Sequence, residues 1–398
     1  MSSTKVKIAP RILKWARVSL HLTEDDVVNH FSQKSKKKFG VDLSFLRDIE
    51  DNEREIKFTL LQELAALYKR PLAVFFLTQP PTELPIPKDR RTIASGVHKV
   101  LSPEAVLVLR RARYVQEVFA ELAKELNWDL SVPLKKVSLG DDPKKLAAYL
   151  RDILDFSFEF QAEKIKNSRQ LFSAIRERLE GINIFTLKAT FPLEDARALS
   201  LVDKTPFLIV INNRDGGYFG YAPKSFSLLH ELAHILLREG ALCNDFSRPY
   251  QQIEKFCNEF SASFLVPDQK FLEVSPASKN NFDEDKVEEY LDTLRTIFKV
   301  SREVLLRKYL SFGFIDKSFY EKKVGEWKEE YENREQGDKG KFVPAITPAR
   351  RAVNNNSRKF VELVLYAKGL GKITFDKAAD YLGVSIKSLP EVESFSLK

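Results

Sequence analysis

The segment SFSLLHELAHILLREG, residues 225–240, is the feature that most constrains this chain. Large apolar residues surround three polar ones, His230, Glu231 and His234, so a helix formed here is apolar on nearly every face. A buried ionisable group without a partner costs roughly 2–7 kcal/mol or more. The three polar side chains therefore need a partner that compensates for their burial.

The two histidines are spaced so that they can reach one metal ion. At ~100° per residue, side chains four positions apart lie within about 40° of each other on one helix face. Zinc prefers imidazole nitrogen, and Glu231 follows the first histidine, close enough to act as a base for water on the ion. The H-E-x-x-H pattern predicts one Zn²⁺ per chain. The alternative is a pair of neutral histidines that are hydrogen-bonded inside a core helix.

A third ligand is expected from the segment QQIEKFCNEFSASFLVPD. Its apolar residues form one stripe, which indicates an amphipathic helix able to pack on the first. Glu254 flanks that stripe on the same side as Ser261, a small residue that lets two helices approach. Glu259 lies on the opposite flank beside Lys255. We expect Glu254 to bind the metal, with Glu259 as the alternative, and Asn258 to hydrogen-bond the free ring nitrogen of a ligating histidine.

Two histidines and one glutamate leave a fourth coordination position for water, which is typical of a catalytic zinc site. Zinc lowers the pKa of such a water toward ~7, so Glu231 can take its proton and the hydroxide can attack a polarised carbonyl. Spacing does not identify the group that stabilises the oxyanion. Tyr218, Tyr221 and Arg238 are near in sequence, and each is equally well explained by packing or by a surface position.

The composition is that of a soluble globular protein. Apolar residues make up 43% and charged residues 30% of the 398 residues, as in ordinary folded domains. The N-terminus lacks the apolar core of a signal peptide, and the longest apolar run, PLAVFFL, is too short to span a membrane. We therefore expect a cytoplasmic protein with no membrane partner, in which Cys243 and Cys257 are reduced core thiols. The net charge of +8 permits nucleic-acid binding without requiring it.

The pattern along the chain predicts an α+β fold that is mostly helical. Residues 1–80 read as five short helices, with Thr23 as an N-cap, and a proline-rich stretch follows them. Residues 81–165 are expected to form a linker and a helical connector. Residues 166–315 contain GINIFTLKA and TPFLIVINN, two runs typical of strands, ahead of the H-E-x-x-H helix. Residues 316–398 are expected to form a small helical accessory module.

A peptide substrate would also have to be held in place. The strand-like run PFLIVINN lies just before the histidine helix. An exposed edge there would let an extended peptide add as another strand. An internal strand is equally consistent with the sequence.

The blocks FSLLHELAHILL and IEKFCNEFSASFLVP, preceded by the two strand-like runs, resemble the ImmA/IrrE family of zinc metallopeptidases. The resemblance covers about residues 171–310. It implies that His230, His234 and Glu254 hold the metal. It also implies that Glu231 is the base. Several members of that family cleave a partner repressor so that silenced genes are expressed, which implies a transcriptional repressor as the protein substrate.

The N-terminal region resembles a lambda-repressor-like helix-turn-helix domain of the kind often fused to such peptidases. The likeness rests on LKWARVSLHLTEDDVVNHF, LSFLRDIEDNEREI and LLQELAALYKRPLAVFFL. The link between the second and third helices is longer than the usual short turn. The helix that would contact DNA is also acidic, which repels phosphates. Its acidic residues are Asp42, Asp48, Glu50 and Asp51.

DNA binding would fall to a small group of cations in this region: Lys34, Lys36, Lys37, Lys38 and Arg47. For the lysine cluster, a solvated loop is an equally good interpretation. The domain could instead bind a protein partner, including a repressor with a related fold.

Two functions from different classes stay open at this stage. The first is a zinc endopeptidase that cleaves a transcriptional repressor, and the intact ligand set favours it. The second is a DNA-binding regulator that uses the peptidase fold as a sensor or a partner-binding platform. A role in a toxin–antitoxin pair or a mobile-element switch is a question of genomic context.

Overall fold

The computed structural model describes residues 4–33, 36–82, 101–216, 220–238, 250–338 and 346–396. Among the residues discussed above, Lys34, Tyr218 and Cys243 lie outside these ranges. The chain divides into two compact units, Met1–Arg111 and Ala112–Lys398. Helices predominate over two small sheets, so the predicted mostly helical α+β class is confirmed. Among the helices described, none combines the length and the apolar character that a membrane span requires.

The first unit consists of short helices and a two-stranded sheet around one apolar core. Its elements are β1 (Lys5–Lys7), α1 (Pro10–Val18), α2 (Glu24–Ser32), α3 (Leu43–Asp51), β2 (Glu55–Lys57) and α4 (Phe58–Leu67). The strands β1 and β2 pair antiparallel, and their three-residue lengths are too short to show in a sequence pattern. The predicted Thr23 cap is confirmed, because its hydroxyl accepts a hydrogen bond from the backbone N–H of Asp26 at 3.1 Å.

The fifth predicted short helix of this region is present as a 3₁₀ helix and not as an α-helix. The run PLAVFFL forms a 3₁₀ segment over Leu72–Phe76 that follows Pro71. A segment of five residues is too short to build consecutive α-helical turns, and 3₁₀ hydrogen bonding is usual in such short pieces.

The acidic residues of α3 serve the structure of the first unit. Glu50 is buried and accepts two hydrogen bonds from the Arg17 guanidinium, at 2.8 and 2.7 Å. The other three carboxylates cap the helix or pair near the surface: Asp42 accepts from the Phe45 backbone N–H, Asp48 pairs with Arg54, and Asp51 pairs with Lys14. The acidity of this helix therefore has a structural cause that the sequence alone did not reveal.

Substitution Glu50→Ala should lower the free energy of unfolding of the first unit by about 3–5 kcal/mol, because the buried Arg17 guanidinium loses the carboxylate that accepts two of its hydrogen bonds and keeps only the more distant Glu24, at 3.9 Å. Hydrogen exchange of α1 and α3 amides, read by mass spectrometry, measures the change. Glu53→Ala is the control, since Glu53 pairs with Lys7 at the exposed surface and should leave exchange nearly unchanged. Equal effects of the two substitutions would contradict the assignment.

The second unit begins within α5 (Pro103–Glu125) and continues with helices around a three-stranded sheet. Up to the end of the sheet the elements are α6 (Pro143–Ile153), α7 (Ser168–Gly181), β3 (Ile184–Ala189), β4 (Ala198–Leu201) and β5 (Phe207–Asn212). The helices that follow are α8 (Ala222–Leu236), α9 (Tyr250–Leu265), α10 (Asp268–Val274), α11 (Val287–Phe298), α12 (Arg302–Ser311) and α13 (Lys317–Asp338). The C-terminal helices are α14 (Pro348–Asn355), α15 (Arg358–Gly369), α16 (Phe375–Leu382) and α17 (Leu389–Ser396). The division into four segments at residues 80, 165 and 315 stays a prediction.

The sheet of this unit has the strand order β3-β5-β4. Strand β5 pairs parallel with β3 and antiparallel with β4. Both predicted strands are confirmed, but the suggestion that PFLIVINN forms a sheet edge is wrong. Every residue of β5 is buried, as expected for a central strand that is apolar on both faces. Strand β4, a third strand of four residues, was not predicted.

Buried polar side chains fix the position of α8 and α9. Asp215, in the turn after β5, is fully buried and accepts a hydrogen bond from the Ser227 hydroxyl of α8 at 2.8 Å. At the far end of α9, the Arg151 guanidinium donates to the Phe264 carbonyl and the Gln161 amide donates to the Leu265 carbonyl. These contacts satisfy backbone groups that a helix terminus leaves unpaired. The two helices are therefore held where they pack against each other.

Candidate metal centre

Helix α8 carries three polar side chains that are buried inside the second unit. It begins after Tyr221 and is buried along most of its length. His230, Glu231 and His234 are exposed by only 3%, 6% and 8%. The nitrogens His230 Nε2 and His234 Nε2 lie 3.2 Å apart, so the predicted convergence of the two imidazoles is present.

Helix α9 brings a carboxylate to the same point. Glu254 Oε2 lies 3.3 Å from His230 Nε2, and Glu254 Oε1 lies 3.4 Å from His234 Nε2. Zinc–nitrogen and zinc–oxygen bonds of ~2.0–2.1 Å in a tetrahedron place neighbouring ligand atoms about 3.3 Å apart. The three side chains therefore fit a single zinc ion, by the spacing of their donor atoms and by their chemistry.

The free ring nitrogen of His230 has the predicted partner. His230 Nδ1 lies 3.1 Å from Asn258 Oδ1, one turn further along α9 than Glu254. An acceptor at this nitrogen favours the tautomer that carries its proton on Nδ1 and leaves Nε2 free to bind a metal. Asn258 therefore orients the imidazole toward Glu254.

A fourth potential ligand was not anticipated from the sequence. Cys257 is fully buried, and its sulfur lies with the His230 and His234 nitrogens in a group whose donor atoms are all within 4.8 Å of one another. It follows Glu254 by three residues on α9, and that helical spacing is the signal that would have revealed it. We had assigned it to the apolar stripe alone.

The electrostatics of the cluster keep Glu254 ionised. Burial alone would raise the pKa of this carboxyl, but hydrogen bonds from His230 and His234 outweigh burial and lower the pKa. Burial likewise disfavours the charged form of His234, yet the neighbouring Cys257, Glu254 and Glu231 raise the pKa of its imidazole well above the usual value. Burial raises the pKa of the Cys257 thiol. A divalent cation would take the place of the protons that the cluster attracts.

Other candidate residues lie away from the cluster. The Glu259 carboxylate is 39% exposed and 4.0 Å from Lys144 Nζ, as expected for the flank that faces solvent. The Arg238 guanidinium stacks over the Phe207 ring at 4.4 Å, and Tyr221 stands at the start of α8, nine residues before His230.

The predicted DNA-contacting cations are placed as follows. Lys36 pairs with Glu63 at 3.1 Å, and Arg47 pairs with Glu24 at 2.8 Å. Lys37 and Lys38 are exposed in a short 3₁₀ turn. The structure gives these residues a location on the first unit, and their contact with DNA stays a prediction.

A helix with H-E-x-x-H and a glutamate from the following helix form the two-histidine, one-glutamate set of metal-dependent peptidases such as thermolysin. The sequence comparisons agree with that class. Residues 179–309, which contain the whole cluster, match the Peptidase_M78 family, described as the IrrE N-terminal-like domain. No curated protein and no solved structure matches the chain. The matched third of the chain supports a peptidase domain of the ImmA/IrrE type, and the match does not include the first unit.

Metal content should depend on three of these side chains. We expect about one zinc per wild-type chain and a fall toward none in His234→Ala and Glu254→Ala, measured by elemental analysis of the purified proteins. Glu259→Ala, on the same helix but exposed, is the matched control and should keep its zinc. Full occupancy in the first two variants would rule out this ligand set.

Loss of the Asn258 carbonyl should weaken zinc binding without abolishing it. Asn258→Ala is expected to lower the affinity about 10–100-fold, because the His230 imidazole loses the acceptor that fixes its tautomer. Competition with a chromophoric chelator measures the change. Asn258→Asp retains an acceptor at this position and should bind more tightly than Asn258→Ala. Equal affinities of the two variants would contradict the orienting role.

Proposed function

We propose that the chain is a zinc-dependent endopeptidase that hydrolyses a peptide bond in a specific protein substrate. One observation carries the proposal: the donor atoms of His230, His234 and Glu254 lie 3.2–3.4 Å apart within a region that matches a peptidase family. Two neutral imidazoles and one carboxylate leave a bound Zn²⁺ with a net positive charge. That charge favours polarisation of a substrate carbonyl.

When bound, zinc supplies Lewis acidity and makes water a stronger acid near neutral pH. The role of the protein's own side chains in the reaction is then to transfer protons. Glu231 is buried on α8 beside His230, and its charge adds to the effect of Cys257 and Glu254 in raising the pKa of the His234 imidazole. A carboxylate in this place can accept the proton of the attacking water and deliver it to the leaving amine.

The ligand side chains are largely buried, which strengthens these electrostatic interactions. Apolar side chains surround the three ligands on both helices, and Phe260 and Phe264 of α9 are fully buried. The Phe226 ring lies 6.4 Å from the His230 imidazole. The three ligand side chains therefore form a small polar cluster among apolar side chains.

The substrate class follows from the resemblance to ImmA/IrrE peptidases. Several of those enzymes cleave a repressor protein, so a transcriptional repressor is the first substrate that we propose here. The first unit, with its short helices and exposed Lys37 and Lys38, is the region that we propose to bind such a partner or its DNA. This assignment rests on resemblance and not on the geometry of the metal site.

A second candidate function is supported by Cys257. A thiolate in the fourth coordination position would close the site, and closed four-ligand zinc sites are structural. The chain would then act as a sensor or a partner-binding platform without hydrolysis. The proximity of Cys257 to His230 and His234 favours this alternative, whereas the presence of Glu231 favours the enzyme.

Glu231→Gln should retain its zinc and lose cleavage by roughly 10²–10⁴-fold, because the amide cannot accept the proton from water. The measurement is mass spectrometry of the new termini formed in a peptide library prepared from a cellular proteome. If the neighbouring reading frame encodes a repressor, that protein, incubated intact with the enzyme, provides a second substrate.

The wild-type protein and Glu231→Gln must be purified in parallel, so that products of a contaminating peptidase appear in both samples. Cleavage by Glu231→Gln at the wild-type rate would exclude Glu231 as the base. A closed site would be favoured if the zinc-loaded wild-type protein cleaves neither substrate and Cys257→Ala cleaves at least one of them.

A further inference from the structure

A second site lies in the same unit, apart from the zinc ligands. A cavity of about 300 Å³ is bounded by α7, β3, the start of α8 and the C-terminal helices α14, α15 and α17. None of the metal-centre residues lines it. Its volume is at the lower end of the range of small-molecule sites, roughly 300–1,000 Å³.

The lining of this cavity is strongly basic. Four cationic side chains and one carboxylate contribute to it: Arg169, Arg176, Lys188, Arg358 and Glu362. The carboxylate is already engaged, because Glu362 pairs with Arg358 at 2.9 Å. Arg176 has its own partner behind the wall, Glu180, at 3.3 Å. The positive charge of the remaining two cations is therefore not neutralised by these carboxylates.

Lys188 and Arg169 are the two remaining cations. Across the part of the chain that the structure describes, neither has a carboxylate within salt-bridge distance. Lys188 is half-buried at the end of β3, where its ammonium has no hydrogen-bond partner among the described residues. Burial and the nearby charges of Arg176, Arg169 and Lys224 lower the pKa of Lys188 to about 7. A bound anion would stabilise the charged form of this side chain.

Aromatic rings complete the wall. Phe172 and Tyr221 lie with their ring centroids 5.6 Å apart, and the Arg169 guanidinium is 5.6 Å from the Tyr221 centroid. Phe395 of α17 also lines the cavity. These rings offer an apolar surface beside the cationic groups.

We propose that this cavity binds a phosphorylated small molecule, with the phosphate at Lys188 and Arg169 and an aromatic or apolar part against Tyr221 and Phe172. Guanidinium and ammonium groups bind phosphate through charge-assisted hydrogen bonds. The rings would contact the part of the ligand that is not phosphate, so we expect a ligand larger than inorganic phosphate. The site is independent of the proposed peptidase activity, since its residues are not zinc ligands.

Calorimetric titration with three probes tests the site: ADP, inorganic phosphate and adenosine. We expect ADP to bind one site per chain, phosphate to compete with it, and adenosine to bind at least about tenfold more weakly than ADP. Lys188→Met and Arg169→Ala should each weaken ADP binding roughly tenfold or more. Lys145→Ala, an exposed cation on α6, is the control and should bind as the wild type does.

His234→Ala separates this site from the metal centre, because ADP could chelate zinc. Unchanged ADP affinity in that variant supports the cavity, whereas loss of binding would place ADP at the metal. The proposal is overturned if none of the probes binds saturably, if adenosine binds as well as ADP, or if Lys188→Met and Lys145→Ala have the same affinity. These outcomes leave the peptidase proposal untouched.

A measurement on the wild-type protein covers the case in which a cavity variant does not fold. Lys188 should be acylated by an amine-reactive reagent near neutral pH, and ADP should slow this acylation. The acylation rate of Lys145 should be the same with and without ADP. Mass spectrometry of tryptic peptides gives both rates. Equal labelling of Lys188 with and without ADP would contradict occupancy of the cavity.

Discussion

The close approach of α9 to α8 is the interaction on which the rest of this structure depends. It places Glu254 between two imidazoles that would otherwise face each other inside an apolar helix. Ser261 of α9 and Ala233 of α8 are both small and fully buried. The Ser261 hydroxyl donates to the Cys257 carbonyl within its own helix, so it needs no partner on α8.

Buried polar groups recur in both units, and most of them have an evident partner. Glu50 pairs with Arg17, Asp215 with Ser227 and Arg197, and Gln161 with two backbone carbonyls. Burial of such groups is tolerated because each is hydrogen-bonded. The metal cluster and Lys188 differ from this pattern. At the metal cluster two imidazoles, a thiol and a carboxylate converge, and at Lys188 several cations converge without a paired carboxylate. Each arrangement therefore indicates a ligand.

Short-range spacing was enough to predict which side chains of α8 and α9 converge. His230 and His234 are neighbours on any helix, and the choice of Glu254 over Glu259 followed from the apolar stripe of α9. Asn258 followed from the same geometry. Cys257 was missed, because a cysteine within an apolar stripe has the same pattern as a core residue.

Features that depend on distant segments were not predictable in this way. The central position of β5 became clear only with β4, a strand too short to show in the sequence pattern. The acidic residues of α3 are explained by partners on other segments, such as Arg17 on α1. The basic cavity joins residues of α7 and β3, which are neighbours in sequence, to residues of α15, which is distant from both.

The most direct test of the central claim is the X-ray absorption spectrum of the zinc-loaded wild-type protein. His230, His234 and Glu254, with a water as the fourth ligand, predict a shell of about four nitrogen and oxygen atoms at ~2.0–2.1 Å, with an imidazole signature from two rings. A sulfur atom at ~2.3 Å would instead show that Cys257 occupies the fourth position. That result would contradict the open, water-binding site on which the proposed hydrolysis rests.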